Sequence, residues 1–226
     1  MAAPTVAVPN LRNGDHLSRD EFERRYHAMP HVKKAELIEG RVYMPSLVRF
    51  SAHAEPHTLL TTWATLYATA TPAVQTADHA TVRLDMDNEV QPDVLLRIDE
   101  THGGASTISN DDYVTGAPEL IVEIAHSSAA YDLHEKKMVY RRNGVREYIV
   151  WQIEENRLDW FVLDASTYRP RSPDDGRMES GVFPGLILDV AALLERDDAA
   201  VVAAVQAGVG SAAHRDFVQR LATRGE

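Results

Sequence analysis

Two carboxylates and one lysine occupy positions from which their side chains could hold a metal ion. Asp93 directly follows Pro92. Glu123 lies thirty residues later inside the apolar run 120–125, and a predicted helix that carries Lys136 comes next. A carboxylate in so apolar a strand is costly to bury unless its charge is compensated. Two carboxylates and an ammonium group are the components needed to hold a hard divalent cation against a phosphate.

Strand and helix periodicity predict that these three side chains meet. Because alternate strand residues share a face, Glu123 points away from Leu120, Val122 and Ile124. Asp93 sits on the neighbouring apolar run 90–98, and pairing of the two strands would bring both carboxylates to one sheet edge. Lys136 falls in the middle of a helix face formed by Leu133, Val139 and Tyr140. Either it points back at Glu123, or its long side chain reaches outward to solvent.

The bulk composition limits the class of protein. A chain of 226 residues with 44% hydrophobic and 25% charged residues is typical of one soluble domain. No apolar run reaches the roughly 18 residues of a membrane helix, and we expect no signal peptide. The absence of cysteine excludes disulfides and thiolate sites and fits a cytoplasmic protein. The net charge of −11 argues against coating of nucleic acid by bulk electrostatics, although it allows a local basic groove.

The order of predicted elements indicates an α/β sheet with helices on both faces. A capping box at Ser18 and Glu21 begins the first helix, and a hairpin turns near Glu39 and Gly40. Further helices are predicted over 56–70, 130–143, 190–206 and 211–223, and strands over 80–84, 90–98, 120–125, 147–153, 158–163 and 182–190.

The distribution of residue types along the chain predicts its domain organisation. We expect a loose N-terminal arm over 1–17, one domain over 18–193 and a C-terminal helical extension over 194–226. Residues 165–181 are polar and proline-rich and are predicted to be a loop. The apolar helices of the extension could pack on another subunit.

Six motifs in order resemble one known family over about residues 18–193. They are ELIEG at 36–40, His57 at the start of an apolar helix, QPDV at 91–94, GAPELIVEI at 116–124, the helix segment 132–140 and GVREY at 144–148. Together they resemble the Uma-type bacterial "putative restriction endonuclease" family of the PD-(D/E)XK nuclease superfamily. Each motif alone is unspecific, whereas their order and spacing are typical of the family.

The resemblance implies a restriction-endonuclease-like fold, in which a mixed β-sheet core is flanked by helices. It also implies hydrolysis of DNA phosphodiester bonds with Mg²⁺, for which Mn²⁺ could substitute. Asp93 and Glu123 would bind the metal, and the backbone carbonyl of Ile124 would add a ligand. Lys136 would be the catalytic lysine, and Glu36 would be an acidic residue that an early element brings near the metal.

One position departs from the superfamily pattern. The lysine usually follows the second acid by two residues, where this chain has Ala125. In the Uma-type branch the lysine lies instead on the following helix, and the position of Lys136 resembles that arrangement. Because the lysine is displaced, catalytic competence does not follow from the motifs.

Several alternatives remain open from the sequence. A non-catalytic binding or regulatory protein could keep this fold, and the acidic balance favours that class. A nuclease could also act on RNA rather than DNA. We expect a homodimer, because cutting both strands of a duplex is simplest with two-fold symmetry. His53 and His57 have the spacing of helical zinc ligands, but Pro56 between them predicts no continuous helix and therefore no zinc site.

Overall fold

A computed structural model describes residues 7–44, 50–126 and 129–225. Its strands are β1 Glu36–Ile38, β2 Arg41–Tyr43, β3 Val74–Asp78, β4 Val82–Asp85, β5 Asn88–Val90, β6 Val94–Ile98, β7 Thr107–Ile108, β8 Val114–Thr115, β9 Leu120–Ala125, β10 Glu147–Gln152, β11 Arg157–Asp164, β12 Thr167–Arg171, β13 Arg177–Glu179 and β14 Ile187–Asp189. Its helices are α1 Arg19–His27, α2 Glu55–Ala70, α3 Ala129–Tyr131, α4 Lys137–Asn143, α5 Val190–Glu195, α6 Asp198–Val209 and α7 Ala212–Ala222. Two π-helical turns, Phe50–Ala54 and Asp132–Lys136, precede α2 and α4. Across the described ranges, no helix is long and apolar enough to cross a bilayer.

The central sheet has the strand order β12-β11-β10-β9-β6-β3. Strand β9 pairs in parallel with β10 and antiparallel with β6, and both its faces are covered. Leu120, Val122 and Ile124 pack in a hydrophobic cluster with α2 and α6, whereas Ile121 and Ala125 pack in a second cluster with α4. Glu123 therefore lies on the α4 side, as the period of two predicts.

A smaller sheet with the order β2-β1-β5-β4-β8-β7 flanks the first. The hairpin β1-β2 turns at Glu39 and Gly40, which both adopt positive φ angles of 52° and 70°. The run 90–98, predicted as one strand, divides instead into β5 in this sheet and β6 in the central sheet. The segment 91–93 thus connects the two sheets, and Pro92, which has no N–H to donate, stands at the crossing.

Five strands were not expected, namely β3, β7, β8, β12 and β13. Strand β3 has a polar, half-exposed pattern at the edge of the central sheet, and such strands lack a clear apolar period. The predicted loop over 165–181 is wrong, because β12 and β13 lie within it. The predicted strand over 182–190 shortens to β14, and the segment before it packs as a loop through buried side chains.

Described segments near both ends of the chain pack against the rest of the fold. Residues 1–6 of the expected arm lie outside the described residues, but the arm's remainder is not loose, because Gly14 N–H and Leu17 N–H donate to carbonyls of the β1-β2 hairpin at 2.8 and 2.7 Å. Helix α6 buries Val201 and Val205 fully in the main hydrophobic cluster against α2. These apolar residues of α6 therefore pack within the chain, and contact of the extension with another subunit stays a prediction.

Gly208 on α6 supplies a stability prediction. A Cβ there would lie 2.0 Å from the carbonyl oxygen of Gly185 and 3.2 Å from Ile187 Cγ1. Gly208→Ala should therefore lower the free energy of unfolding by about 1–3 kcal/mol, since overpacking outweighs the better helix propensity of alanine. Gly210→Ala is the control, because its Cβ would come no closer than 3.3 Å to another atom. Equal midpoints of urea unfolding for the two variants would contradict the close approach.

Candidate functional site

Strand pairing brings Asp93 and Glu123 to the same place in the central sheet. The register pairs Val94 of β6 with Val122 of β9, and one step further places Asp93 opposite Glu123. The backbone N–H of Ile124 donates to Asp93 Oδ2 at 2.8 Å. Both carboxylates are buried, with 2% and 3% of their surfaces exposed.

Lys136 reaches this pair from the helical layer. It ends the π-helical turn before α4, and its Nζ lies 2.9 Å from Glu123 Oε1 and 3.0 Å from Glu36 Oε1. Asp132 Oδ1 is 3.7 Å from the same nitrogen. The hydroxyl of Tyr140 donates to Glu123 Oε1 at 2.8 Å. The lysine does not extend to solvent, because only 3% of its surface is exposed.

Burial and neighbouring charges act in opposite directions on this group. Burial raises the pKa of Glu123 to about 7, although the Lys136 ammonium opposes that shift. Burial also disfavours the charged form of Lys136, but Glu123, Glu36 and Asp132 outweigh it and hold the pKa of the lysine well above its usual range. Lys136 is therefore a fixed cation at neutral pH and cannot accept a proton.

Asp93 has a different set of partners on its other oxygen. Lys34 Nζ lies 3.2 Å, His79 Nε2 3.3 Å and His53 Nε2 3.5 Å from Asp93 Oδ1. Burial alone would raise the pKa of Asp93, but the Lys34 charge and the hydrogen bonds from the two histidines hold it well below its usual range. Hydrogen bonding to Asp93 also raises the pKa of both His53 and His79. Asp93 is therefore ionised.

Three histidines surround the exposed side of Asp93. His53 lies on the π-helical turn before α2, His57 lies on α2, and their rings stack at 5.8 Å. The expected interruption at Pro56 is wrong, because proline is tolerated in the first turn of a helix and the helical run continues through it. His79 follows β3 and has a φ angle of 51°.

The backbone carbonyl of Ile124, predicted as a metal ligand, also faces this histidine group. His53 Nδ1 lies 3.2 Å from it and donates to it, since a carbonyl oxygen can only accept. His57 Nε2 makes the same kind of bond, 2.9 Å, to the carbonyl of Asp93. The histidines thus bridge α2 and the ends of β6 and β9.

The residues present fit a divalent cation. Four buried carboxylates face two ammonium groups, so the cluster has an excess of negative charge while the imidazoles are neutral. The carboxylates are Glu36, Asp93, Glu123 and Asp132, and the ammonium groups belong to Lys34 and Lys136. Carboxylate and carbonyl oxygens are the donors that Mg²⁺ and Mn²⁺ prefer.

Comparison with known proteins decides the family. The sequence pattern of the Uma2 family, described as "Putative restriction endonuclease", matches residues 19–191. The chain belongs to the Uma2 family. This confirms the family that the six motifs indicated. No curated protein matches the chain.

A solved structure shares the Uma2 chain's fold. It is the "Crystal structure of a putative nuclease belonging to DUF820 from Anabaena variabilis ATCC 29413", with a TM-score of 0.58 and 11% sequence identity. The alignment covers 76% of this chain and 96% of that one. At this identity the likeness shows the fold, and it confirms the α/β class with a nuclease-like sheet flanked by helices.

The structure of this Uma2 chain brings together every residue that the sequence singled out. Glu36, Glu123 and Lys136 are in direct contact, and Asp93 lies one strand away. Sequence reasoning did not find Lys34, and it gave His53 and His79 no place in the site. The signal for His53 was its spacing from His57, but β3 was not predicted and His79 therefore had no position.

Proposed function

We propose that this chain is a metal-dependent endonuclease that hydrolyses DNA phosphodiester bonds. The observation that supports it is the contact of Lys136 with Glu123 at 2.9 Å, opposite the ionised Asp93. Family membership supports the same reaction class, because the family is described as "Putative restriction endonuclease".

Asp93, Glu123 and the carbonyl of Ile124 would hold Mg²⁺, or Mn²⁺ in its place. When bound, such an ion polarises a phosphoryl oxygen and lowers the pKa of bound water. Lys136 stays charged, so its role is to orient Glu123 and to stabilise negative charge that develops nearby. Tyr140 fixes the same Glu123 oxygen from the helix side. Glu36 shares Lys136 with Glu123 and positions the lysine.

The phosphate would approach from the side of Lys34, His53 and His79. Their side chains are 21%, 19% and 36% exposed, whereas the Lys136 side of the cluster is closed. Lys34 is the cation on this open side. Its long side chain could leave Asp93 and contact a phosphate oxygen, because lysine acts as a mobile point charge.

DNA is the proposed substrate and a homodimer the proposed acting unit, since two-fold symmetry suits cleavage of both strands. A second candidate is a non-catalytic protein with the same fold. The net charge of −11 and the engagement of Lys136 by three carboxylates favour it.

Cleavage assays separate these candidates. Purified protein should nick supercoiled plasmid in Mg²⁺ or Mn²⁺ and should not do so in EDTA. Glu123→Gln should reduce the rate about 100-fold or more, because it removes a charge that holds the ion beside the reacting phosphate. The matched control is Glu195→Gln, at an exposed position on α5.

The substrate panel should include single-stranded DNA and RNA. Cleavage of RNA alone would refute the choice of DNA while retaining the reaction class. Metal-dependent cleavage of none of these substrates, by protein that is folded, would favour the non-catalytic candidate.

A further inference from the structure

Two imidazoles and one carboxylate converge at the open side of the cleft. One ring nitrogen of His53, one ring nitrogen of His79 and an oxygen of Asp93 all lie within 4.8 Å of one another. They come from three separate elements: the turn before α2, the end of β3 and the start of β6. An all-oxygen magnesium site does not require these two nitrogens.

The hydrogen bonds of both histidines leave Nε2 as the coordinating atom. His53 Nδ1 donates to the carbonyl of Ile124 at 3.2 Å, and His79 Nδ1 contacts the carboxylate of Asp78. In a neutral imidazole with a protonated Nδ1, the lone pair is on Nε2. Histidines that bind metals characteristically donate their other ring N–H to a carbonyl or a carboxylate, as both do here.

The separations between the donor atoms match a metal's coordination sphere. Nitrogen and oxygen ligands lie about 2.0–2.2 Å from a zinc ion, which places neighbouring donors of a tetrahedron about 3.3–3.6 Å apart. The two Nε2 atoms lie 3.3 and 3.5 Å from Asp93 Oδ1. Charge-assisted N–H···O hydrogen bonds are usually shorter, about 2.7–2.9 Å. These distances are long for such bonds, and they are compatible with an ion between the groups.

A further pair of residues orients the site from outside. His57 Nε2 lies 2.9 Å from the Asp93 carbonyl and 3.1 Å from Asp78 Oδ1. Because the carbonyl only accepts, His57 Nε2 carries a proton and is a donor, not a ligand. The same oxygen, Asp78 Oδ1, contacts both His57 Nε2 and His79 Nδ1, and the role of Asp78 is to position the His79 ring.

We propose that His53, His79 and Asp93 form a site for a borderline divalent transition-metal ion, such as Zn²⁺, Co²⁺ or Ni²⁺, in preference to Mg²⁺. Imidazole nitrogen favours these ions, whereas Mg²⁺ favours oxygen. Lys34 releases Asp93 Oδ1 when the ion binds and turns to solvent. The site shares Asp93 with the proposed nuclease function and deepens it, but ion binding does not require cleavage.

Titration of the metal-free full chain tests the proposal. By calorimetry, Zn²⁺ should bind at one site per chain and much more tightly than Mg²⁺. With Co²⁺, the visible absorption spectrum should show ligand-field bands of a site with nitrogen donors. His53→Ala and His79→Ala should each weaken Zn²⁺ binding about 100-fold or more, and Asp78→Asn about 10-fold to 100-fold, as is usual for outer partners of a ligand.

The control is His27→Ala, whose ring stacks on Tyr113 in a different part of the fold. It should leave affinity and spectrum unchanged. Unchanged Zn²⁺ affinity and Co²⁺ spectrum in both His53→Ala and His79→Ala would overturn the site. Tight Zn²⁺ binding that depends on the histidines, without cleavage of any nucleic acid, would uphold the site and refute the nuclease. Magnesium-dependent cleavage with histidine-independent ion binding would do the reverse.

Discussion

Lys136→Met should lower the free energy of unfolding by about 3–5 kcal/mol, because it removes the cation from a buried ionic cluster. Methionine fills nearly the same volume, so the loss is chiefly electrostatic. Glu123, Glu36 and Asp132, which lie 2.9, 3.0 and 3.7 Å from the ammonium nitrogen, would lose their buried counter-charge, and the pKa of Glu123 would rise further because the ammonium no longer opposes the effect of burial. Urea unfolding at neutral pH measures the effect.

Two further variants show whether the buried cluster is the cause. Lys33→Met is the control, since that side chain is exposed and its contact is a single bond to the carbonyl of Pro30 at 3.5 Å. Adding Glu36→Gln to Lys136→Met should restore part of the stability, because one unpaired buried charge is removed. If Lys136→Met lowered the free energy of unfolding by less than about 1 kcal/mol, the effect would be that of an exposed ion pair. Such a result would contradict the burial of the Lys136 cluster.

Asp93→Asn should abolish tight ion binding and lower the cleavage rate about 1,000-fold. A bound ion supplies several kcal/mol of transition-state stabilisation, and each 1.4 kcal/mol is a factor of ten in rate. Asparagine retains an oxygen that can accept the N–H of Ile124, now 2.8 Å from Asp93 Oδ2. The variant therefore removes the charge and keeps the strand connection. Calorimetry and plasmid cleavage measure the two effects.

The change in the free energy of unfolding at acid pH tests the same variant independently, in EDTA so that no metal is bound. The pKa of Asp93 is held well below its ordinary value of 3.8 in the folded chain. Its contribution to stability is therefore fully present above that value and is lost as the pH falls through the lower folded pKa. Asp93→Asn should lack this loss and should unfold less steeply in acid.

The matched control for Asp93→Asn is Asp216→Asn, at an exposed position on α7. Wild-type ion affinity and cleavage are expected for it. If Asp93→Asn retained both, Asp93 could be neither a metal ligand nor an essential charge, and the proposed function and the histidine site would both fail.

Local periodicity predicted the centre of the fold well. Alternation along β9 assigned Glu123 to one face, and helical spacing assigned Lys136 to the buried face of its helix. Both periods relate residues that are close to each other in the sequence, so they can be recognised from the sequence alone. Strands whose pattern is polar, such as β3, give no such signal because their position depends on a neighbour.

The sequence by itself determined the family and the α/β class, and it predicted the four acidic and basic residues that the motifs indicated. Only the tertiary structure decided that Lys34, His53 and His79 also surround Asp93. These three side chains belong to segments far apart in sequence, and their meeting depends on pairing of β3 with β6 and on packing of α2 over the sheet. Such long-range contacts leave no periodic pattern in the sequence. A charged residue inside an apolar strand, in contrast, is visible in the sequence itself.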